Sequence, residues 1–352
     1  MSKDGNKVTI NDVARAAGVS KGTVDRVIHN RGEVSRKSKE KVLRVIEELG
    51  FRPNLYASLL ASQKERVISC MIPECLSGEF WSLADKGFHD GAAVIGRYGF
   101  KVNVMKYDQY SMESFRCACE KVLESEPSGV IMAPLFREEV IKFAEVLSGR
   151  DIPYIYIDTK VEDTDYLAYF GMPMYQSGML CADLLLNGSD VPDKVYVIRI
   201  ARDKEGLSDP TVERRSGFLD YMSENYPDVL IENVFIDPKD SAGIDYCLDK
   251  TVGAGSGSRH VVMFNSRIHI IADYMKKRGF EGWRVVGFDA LERNIEALRQ
   301  GNVQVLVAQH TDHQALEAVT SMTDHLILGE KVRKDNFTQM DILTKYNCDY
   351  YL

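Results

Sequence analysis

The sequence predicts two structural classes in one chain. A small all-α head of three helices occupies residues 1–52, with a hinge helix or linker at 53–65, and a two-lobed α/β body of parallel sheets covers 66–352. Three observations predict this. Apolar residues recur at helical spacing through the first fifty positions. From Arg66 onward, short apolar runs alternate with amphipathic stretches, the pattern of parallel strands with helical crossovers. Charge divides at the same place: residues 1–66 carry 14 Lys/Arg against 8 Asp/Glu, net +6, and the remainder carries 30 against 44, net -14, giving the chain its -8. A basic head on an acidic body is what a polyanion-binding module fused to a different module looks like.

Length and composition narrow the function classes. A chain of 352 residues suits two or three domains. No apolar run approaches the roughly 18 residues that a membrane span needs. The opening MSKDGNKVTIND has no apolar core of the kind an export signal carries, so a cytoplasmic location is expected. Seven cysteines, an odd number without paired metal spacing, fit reduced thiols. No Walker loop, nucleophile elbow or H-E-x-x-H motif is present, and GAGSGS at 253–258 precedes a strand where a dinucleotide loop would follow one. His310 and His313 are only loosely spaced for a metal. We therefore expect no enzyme activity, no cofactor and no metal.

In the head, Thr9 can cap a first helix with Asp12 three residues on, and Ile10, Val13, Ala14 and Ala17 share its inner face. Gly18 breaks that helix and Ser20 caps a second, whose Val24, Val27 and Ile28 point inward. Lys21, Gly22, Asp25, Arg26 and His29 are thereby turned outward. Asn30-Arg31-Gly32 makes a loop, Ser35 caps a third helix with an expected buried stripe of Val42, Ile46 and Leu49, and Gly50 ends it. Two helices across a tight glycine turn, the second exposing basic side chains, describe a helix-turn-helix whose second helix can enter a major groove. An ordinary three-helix domain with a solvated face has the same spacing. Beyond Pro53, LYASLLASQ offers about two helical turns, too few to be stable without a partner. Leu59 and Leu60 there can pack on a neighbouring domain or wedge into a minor-groove step.

In the body, strands are expected at VISCMI, KVNVMKY, GVIMAPL, PYIYID, LAYFGM, KVYVIRI, IENVFI, HVVMFN, RVVGFD and VQVLVAQ, with helices at 82–98, 112–125, 137–149, 174–187, 211–225, 267–278 and 311–328. So many strands point to two similar lobes, with a ligand between them at the strands' C-terminal ends. Asp158, Asn265, Asp289 and Gln309 are polar residues at such ends. Turn or cap roles remain open for Asp158, Asn265 and Asp289.

The run VTINDVARAAGVSKGTVDRVIHNRGEVSRKSKEKVLRVIEELGFRPNLYASLLA resembles the N-terminal domain of the LacI family of bacterial regulators, in TINDVARAAGVS, the TV-x-RV core, VS before the third helix and the LGF-x-PN exit. The resemblance implies that Lys21 and Gly22 read bases, with Arg26 and His29 farther along. Thr9, Ser20, Thr23, Ser35 and Asn54 would hold phosphates, and Leu60 would enter the minor groove. Asp25 and His29 stand where the family commonly has serine and asparagine, which implies a different operator sequence. The body resembles the family's core, of the periplasmic-binding-protein type I fold and closest to its ribose-binding-like branch. This implies an N-lobe of about 66–169 and 310–338 and a C-lobe of about 170–309 and 339–352. GEFWSLADKGFHDGAAVIGRYGF then places Phe80 and Trp81 at the cleft mouth, and R-x-x-G-F turns Arg214 into the cleft. Such a cage suits a sugar, with aromatic plates for C–H faces and Arg, Asn, Asp and Gln for hydroxyls. Leu135-Phe136-Arg137 and GMPMYQSG depart from the sugar-binding pattern and leave room for a modified, acidic or less polar ligand.

The expected protein is a homodimer that binds double-stranded operator DNA through paired heads and a sugar-like effector through the cleft, acting as an allosteric repressor. A protein effector, a solute-binding protein with a basic head, and an α/β sugar enzyme are the rivals.

Overall fold

The computed structural model describes residues 8–28, 34–51, 66–188, 190–200, 211–254 and 259–351. It divides into two compact units, Met1–Lys64 and Glu65–Leu352.

The first unit contains α1 (Ile10–Ala17), α2 (Lys21–Ile28) and α3 (Arg36–Glu48). The expected capping box is formed: the Asp12 backbone N–H donates to Thr9 Oγ1 at 3.4 Å, and the Asp12 carboxylate accepts from the Thr9 backbone N–H at 3.0 Å. Gly18, left-handed at φ 60°, stops α1. Ser20 Oγ accepts from the Thr23 N–H at 3.2 Å, and Ser35 Oγ accepts from the Ser38 N–H at 3.3 Å. Val13, Ala17, Val24, Val27, Val42, Val45 and Phe51 make the core. The third helix corrects the expected stripe. Val45 is buried, Ile46 only partly, and Leu49 is 38% exposed. The reason is the turn at Gly50 (φ 60°), after which the Phe51 N–H bonds back to the Ile46 carbonyl at 3.0 Å. Phe51 thereby covers the helix end where Leu49 was expected.

The second unit is built on two sheets, each with six described strands. The first has the order β11-β5-β4-β3-β1-β2, from β1 (Arg66–Pro73), β2 (Phe100–Tyr107), β3 (Gly129–Met132), β4 (Tyr154–Ile157), β5 (Ala168–Gly171) and β11 (Asp335–Phe337), all parallel. The second has the order β12-β10-β9-β8-β6-β7, from β6 (Lys194–Ile200), β7 (Leu230–Ile236), β8 (His260–Met263), β9 (Arg284–Phe288), β10 (Val305–Gln309) and β12 (Met340–Leu343). The central strands are buried throughout, as both-faces-covered parallel strands require. One correction concerns β12, which runs antiparallel to β10 at the sheet edge. Neither β11 nor β12 was among the expected strands.

Helices α4 (Phe80–Ile95), α5 (Met112–Glu124), α6 (Arg137–Gly149) and α12 (Thr311–Leu328) cover the first sheet. Helices α7 (Met174–Leu186), α8 (Val212–Asn225), α9 (Ser241–Lys250), α10 (His269–Arg278) and α11 (Glu292–Arg299) cover the second. Two of these, α9 and α11, were not expected. The chain crosses between lobes three times, after Gly171, after Gln309 and at Thr338. Hydrogen bonds join the crossings: the Thr338 N–H donates to the Gly171 carbonyl at 2.8 Å, and Gln314 Nε2 reaches Thr338 Oγ1 at 3.0 Å.

Glycines set how closely the covering helices approach. A Cβ on Gly178 of α7 would strike the Arg214 carbonyl of α8, and one on Gly217 would strike the Tyr175 carbonyl. This explains the R-x-x-G-F pattern. Arg214 is turned inward, Gly217 lets α7 close in, and Phe218 packs edge-on to Phe264 at 5.3 Å. Gly217→Ala should wedge the two helices apart. We expect destabilisation of about 1–3 kcal/mol in denaturant unfolding; a variant as stable as the parent would show that the crossing is slack.

Candidate functional site

A cleft of about 470 Å³ is lined from both lobes at the C-terminal ends of their strands. From the first lobe come Phe80, Trp81, Tyr110, Leu135 and Asp158; from the second come Arg214, Asn265, His269, Asp289 and Gln309. All seven residues expected at the ligand site therefore lie on one cavity.

The aspartates share an unusual backbone. Asp158 follows β4 and Asp289 follows β9, each the third-placed strand of its sheet, and both are left-handed, at φ 65° and 67°. That conformation is uncommon outside glycine, though Asp tolerates it better than most. Each is held by tertiary hydrogen bonds. The Asp158 N–H donates to the Phe170 carbonyl, and the Asp158 carbonyl accepts from Tyr169 OH at 2.8 Å. In the second lobe, the Asp289 N–H donates to the Val307 carbonyl, and its carbonyl accepts from Asn294 Nδ2 at 3.0 Å.

The Asp289 carboxylate accepts from Gln309 Nε2 at 3.1 Å, and Gln309 Oε1 lies 3.4 Å from Gln314 Nε2. Burial pushes this carboxyl up to about 6, against the opposing pull of the Arg214 charge and the Gln309 hydrogen bond. Arg214 is itself buried. Its guanidinium stands 4.3 Å from the centre of the Phe288 ring, Nη1 donates to the Phe264 carbonyl at 2.7 Å, and Nη2 lies 3.2 Å from Met172 Sδ. Its Nε is buried without a hydrogen-bond partner. A buried donor left unpaired costs about 1–3 kcal/mol, so Arg214 is held in this wall of the cleft at a cost in stability.

Asn265 combines both roles left open for it: it lines the cleft, and its Oδ1 accepts from the Arg267 N–H at 3.0 Å. Phe80 and Trp81 meet edge to face at 4.9 Å, with Trp81 buried in the lobe core and Phe80 partly exposed. Leu135 and Phe136 are both buried; Leu135 lines the cleft and Phe136 packs against Phe115. Sequence reasoning missed His269, Asn294, Tyr110 and Lys239. Lys239 Nζ, on the second lobe, stands 4.5 Å from the Tyr110 ring centre on the first, a cation–π contact across the mouth. His310 engages Asp341 at 2.6 Å, and among the described residues no cluster suits a metal ion.

In the head, Lys21, Gly22 and Arg26 are exposed along α2, and Asp25 is half-buried. Three of the expected phosphate-holding hydroxyls sit at helix caps. Thr9 Oγ1 donates to Asp12 at 2.6 Å, Ser20 Oγ meets Thr23 Oγ1 at 2.9 Å, and Ser35 Oγ donates to Ser38 Oγ at 2.9 Å. His29, Asn54 and Leu60 lie outside the described residues.

Two outcomes are expected from this geometry. Because the folded pKa of Asp289 is raised above its usual 3.8, the unfolded chain releases this proton first as pH rises, and stability falls between those two values. Asp289→Asn has no such proton. Without ligand, its stability relative to the parent should therefore increase from about pH 4 to about pH 7, by on the order of 1–3 kcal/mol; a pH-independent difference would mean the carboxyl is well solvated. Asn294→Ala strips partners from three carbonyls and should cost about 3 kcal/mol in thermal or urea unfolding. A loss near zero would show that water replaces the amide.

Comparison with known proteins agrees with the two-unit arrangement. Residues 69–331 match the periplasmic binding protein domain, and residues 9–54 match the bacterial regulatory proteins of the lacI family. The HTH-type transcriptional regulator RegA of Clostridium saccharobutylicum is 31% identical over 159 residues, 44% of this chain and 45% of that protein. The ribose operon repressor of Lactococcus lactis subsp. lactis (strain IL1403) is 30% identical over 161 residues, 45% of each. The chain thus spans somewhat less than half the length of the curated relatives it matches. A crystal structure assigned as a LacI transcriptional regulator from Bacteroides fragilis superposes with a TM-score of 0.79 at 30% identity, over 82% of this chain and all of that one. The chain belongs to the lacI family of bacterial regulatory proteins, with a body of the periplasmic-binding-protein type.

Proposed function

We propose that this chain is a ligand-controlled transcription regulator that represses carbohydrate-utilisation genes from the cytoplasm. Residues 1–52 read DNA, 53–65 form the hinge, and 66–352 hold the effector. Two heads of a homodimer read a palindromic operator on successive major-groove turns, with Lys21, Gly22 and Arg26 toward the bases and Leu60 in the minor groove. A sugar-like effector enters the cleft. The observation that carries this reading is the convergence of Arg214, with its unpartnered buried Nε, on the same cavity as the Asp289–Gln309 pair. Donors and acceptors fixed at close quarters suit vicinal hydroxyls, and the Phe288 plate behind Arg214 keeps the fork rigid.

One observation favours a second effector class. The cleft wall at Leu135 is apolar and buried, which suits a deoxygenated or otherwise less polar face on the ligand.

A melting screen against neutral sugars, sugar acids and sugar phosphates tests the reading. A ligand at a hundred times its dissociation constant adds about 2.7 kcal/mol, and Arg214→Ala should abolish the shift. A shift of equal size in that variant would rule the cleft out. For the head, Arg26→Ala and Leu60→Ala should each weaken operator binding by about tenfold or more and leave effector affinity within a factor of two or so. Unchanged operator affinity in both would remove α2 and the hinge from the DNA contact.

A further inference from the structure

His269 opens α10, lines the cleft and is half-buried. Its Nδ1 lies 3.0 Å from Asn294 Oδ1, and its backbone N–H donates to the same oxygen at 3.2 Å. Asn294 is fully buried, and its amide nitrogen is surrounded by the carbonyls of Ser266 at 2.9 Å, Phe288 at 3.1 Å and Asp289 at 3.0 Å. Three carbonyl oxygens around one terminal atom require that atom to be the donor nitrogen. The other terminal atom is then oxygen, which only accepts. An acceptor facing Nδ1 requires Nδ1 to carry the ring hydrogen.

Burial also depresses the imidazole's proton affinity below its ordinary value; the Asn294 hydrogen bond and Asp273 oppose that shift, while Arg293 and Arg267 add to it. The neutral ring has one hydrogen, and Asn294 has claimed its position. Nε2 therefore bears a bare lone pair on the ring edge turned away from Asn294.

We infer that His269 is a specificity-determining residue of the cleft, its Nε2 accepting a hydrogen bond from a hydroxyl of a sugar or polyol. The inference rests on the effector site proposed above and names one polar contact within it. At its own position the lone pair welcomes a hydroxyl hydrogen and repels a carboxylate or phosphate oxygen; Arg214, Arg267 and Arg293 line the same cleft and suit an anionic group elsewhere on such a ligand. Asn294 acts as the positioning residue. The same amide that fixes the His269 tautomer also holds the Asp289 carbonyl, so the two ligand-facing acceptors are set by one buried side chain.

Nitrogen-15 spectra of the full chain labelled only at its seven histidines test this, the His269 signal being the one absent from His269→Gln. In the free protein at neutral pH the ring should show the Nδ1–H pattern, and its Nε2 resonance should move when a sugar binds. An Nε2–H or cationic ring, or an Nε2 signal indifferent to bound sugar, overturns the inference.

Affinities for D-ribose, D-xylose, D-galactose, D-glucuronate and D-ribose 5-phosphate supply the second readout. His269→Phe, which keeps a ring but no lone pair, should bind the preferred sugar among these about tenfold more weakly. His269→Gln, whose amide oxygen can accept, should retain most of the affinity, and it decides the matter if the Phe variant does not fold. Undiminished affinity in the Phe variant, or in its absence a His269→Gln no better than a hundredfold weakened, overturns the His269 contact alone. A parent protein that binds none of the five overturns both the carbohydrate reading and the contact.

Discussion

Asp158 and Asp289 hold a left-handed backbone at the same place in the two lobes, one residue past the end of the third-placed strand. The conformation ends each strand abruptly and turns the chain into the cleft, at a cost of order 1 kcal/mol or more per residue. Only the surroundings can hold it. In both lobes the aspartate N–H completes the ladder to the next strand, and its carbonyl is captured by a buried side chain, Tyr169 in one and Asn294 in the other. The capturing groups differ because the lobes cover their strand ends differently. Tyr169 reaches across from β5 within the sheet, whereas Asn294 reaches up from a helix behind it. The polar floor of the cleft therefore depends on residues that do not themselves need to touch a ligand.

The second lobe carries most of the electrostatic tension. Its Asp289, Arg214 and Gln309, joined by Gln314 from α12, lie where little water reaches, and the carboxyl's proton affinity rises accordingly. Arg214 does not form a direct ion pair with Asp289; it stacks on Phe288 and donates to a main-chain carbonyl. A closed pair would satisfy both charges and leave nothing for a ligand. Holding them apart leaves the buried Arg214 Nε without a partner and the Asp289 carboxyl bonded only to Gln309, an arrangement that costs stability.

Much of this was legible in the sequence because strand ends, caps and helix stripes have local signatures. Thr9 with Asp12, and Gly18 after Ala17, announce α1 by spacing alone. Asn265, Asp289 and Gln309 could be picked out because each is a polar residue terminating an apolar run. Leu49 was misread because the helical period continues to it, while the turn at Gly50 that brings Phe51 underneath is a matter of backbone closure. Strands β11 and β12 are too short and too mixed in polarity to show a period of two. Asn294 and His269 have no local signal at all; their importance comes from what α10 and α11 bring within 3.2 Å of each other. Gly178 and Gly217 likewise acquire meaning only where two helix backbones meet.

The crossings between lobes share hydrogen bonds with the cleft. Gln309 is both a cleft residue and the last residue of β10 before the chain passes to α12, and Gln314 ties it to Thr338 on another crossing. Gln309 thus belongs both to the cleft and to the hydrogen-bonded seam that joins the crossings. At the opposite end of the cleft, Lys239 lies against Tyr110 across the mouth, a contact that exists only when the lobes are near. A ligand can bias such an arrangement only by binding its two forms unequally. The two lobes supply different groups to that cleft: Arg214, Asn265, Asp289 and Gln309 come from the second, and Asp158 with the Phe80, Trp81 and Leu135 wall comes from the first.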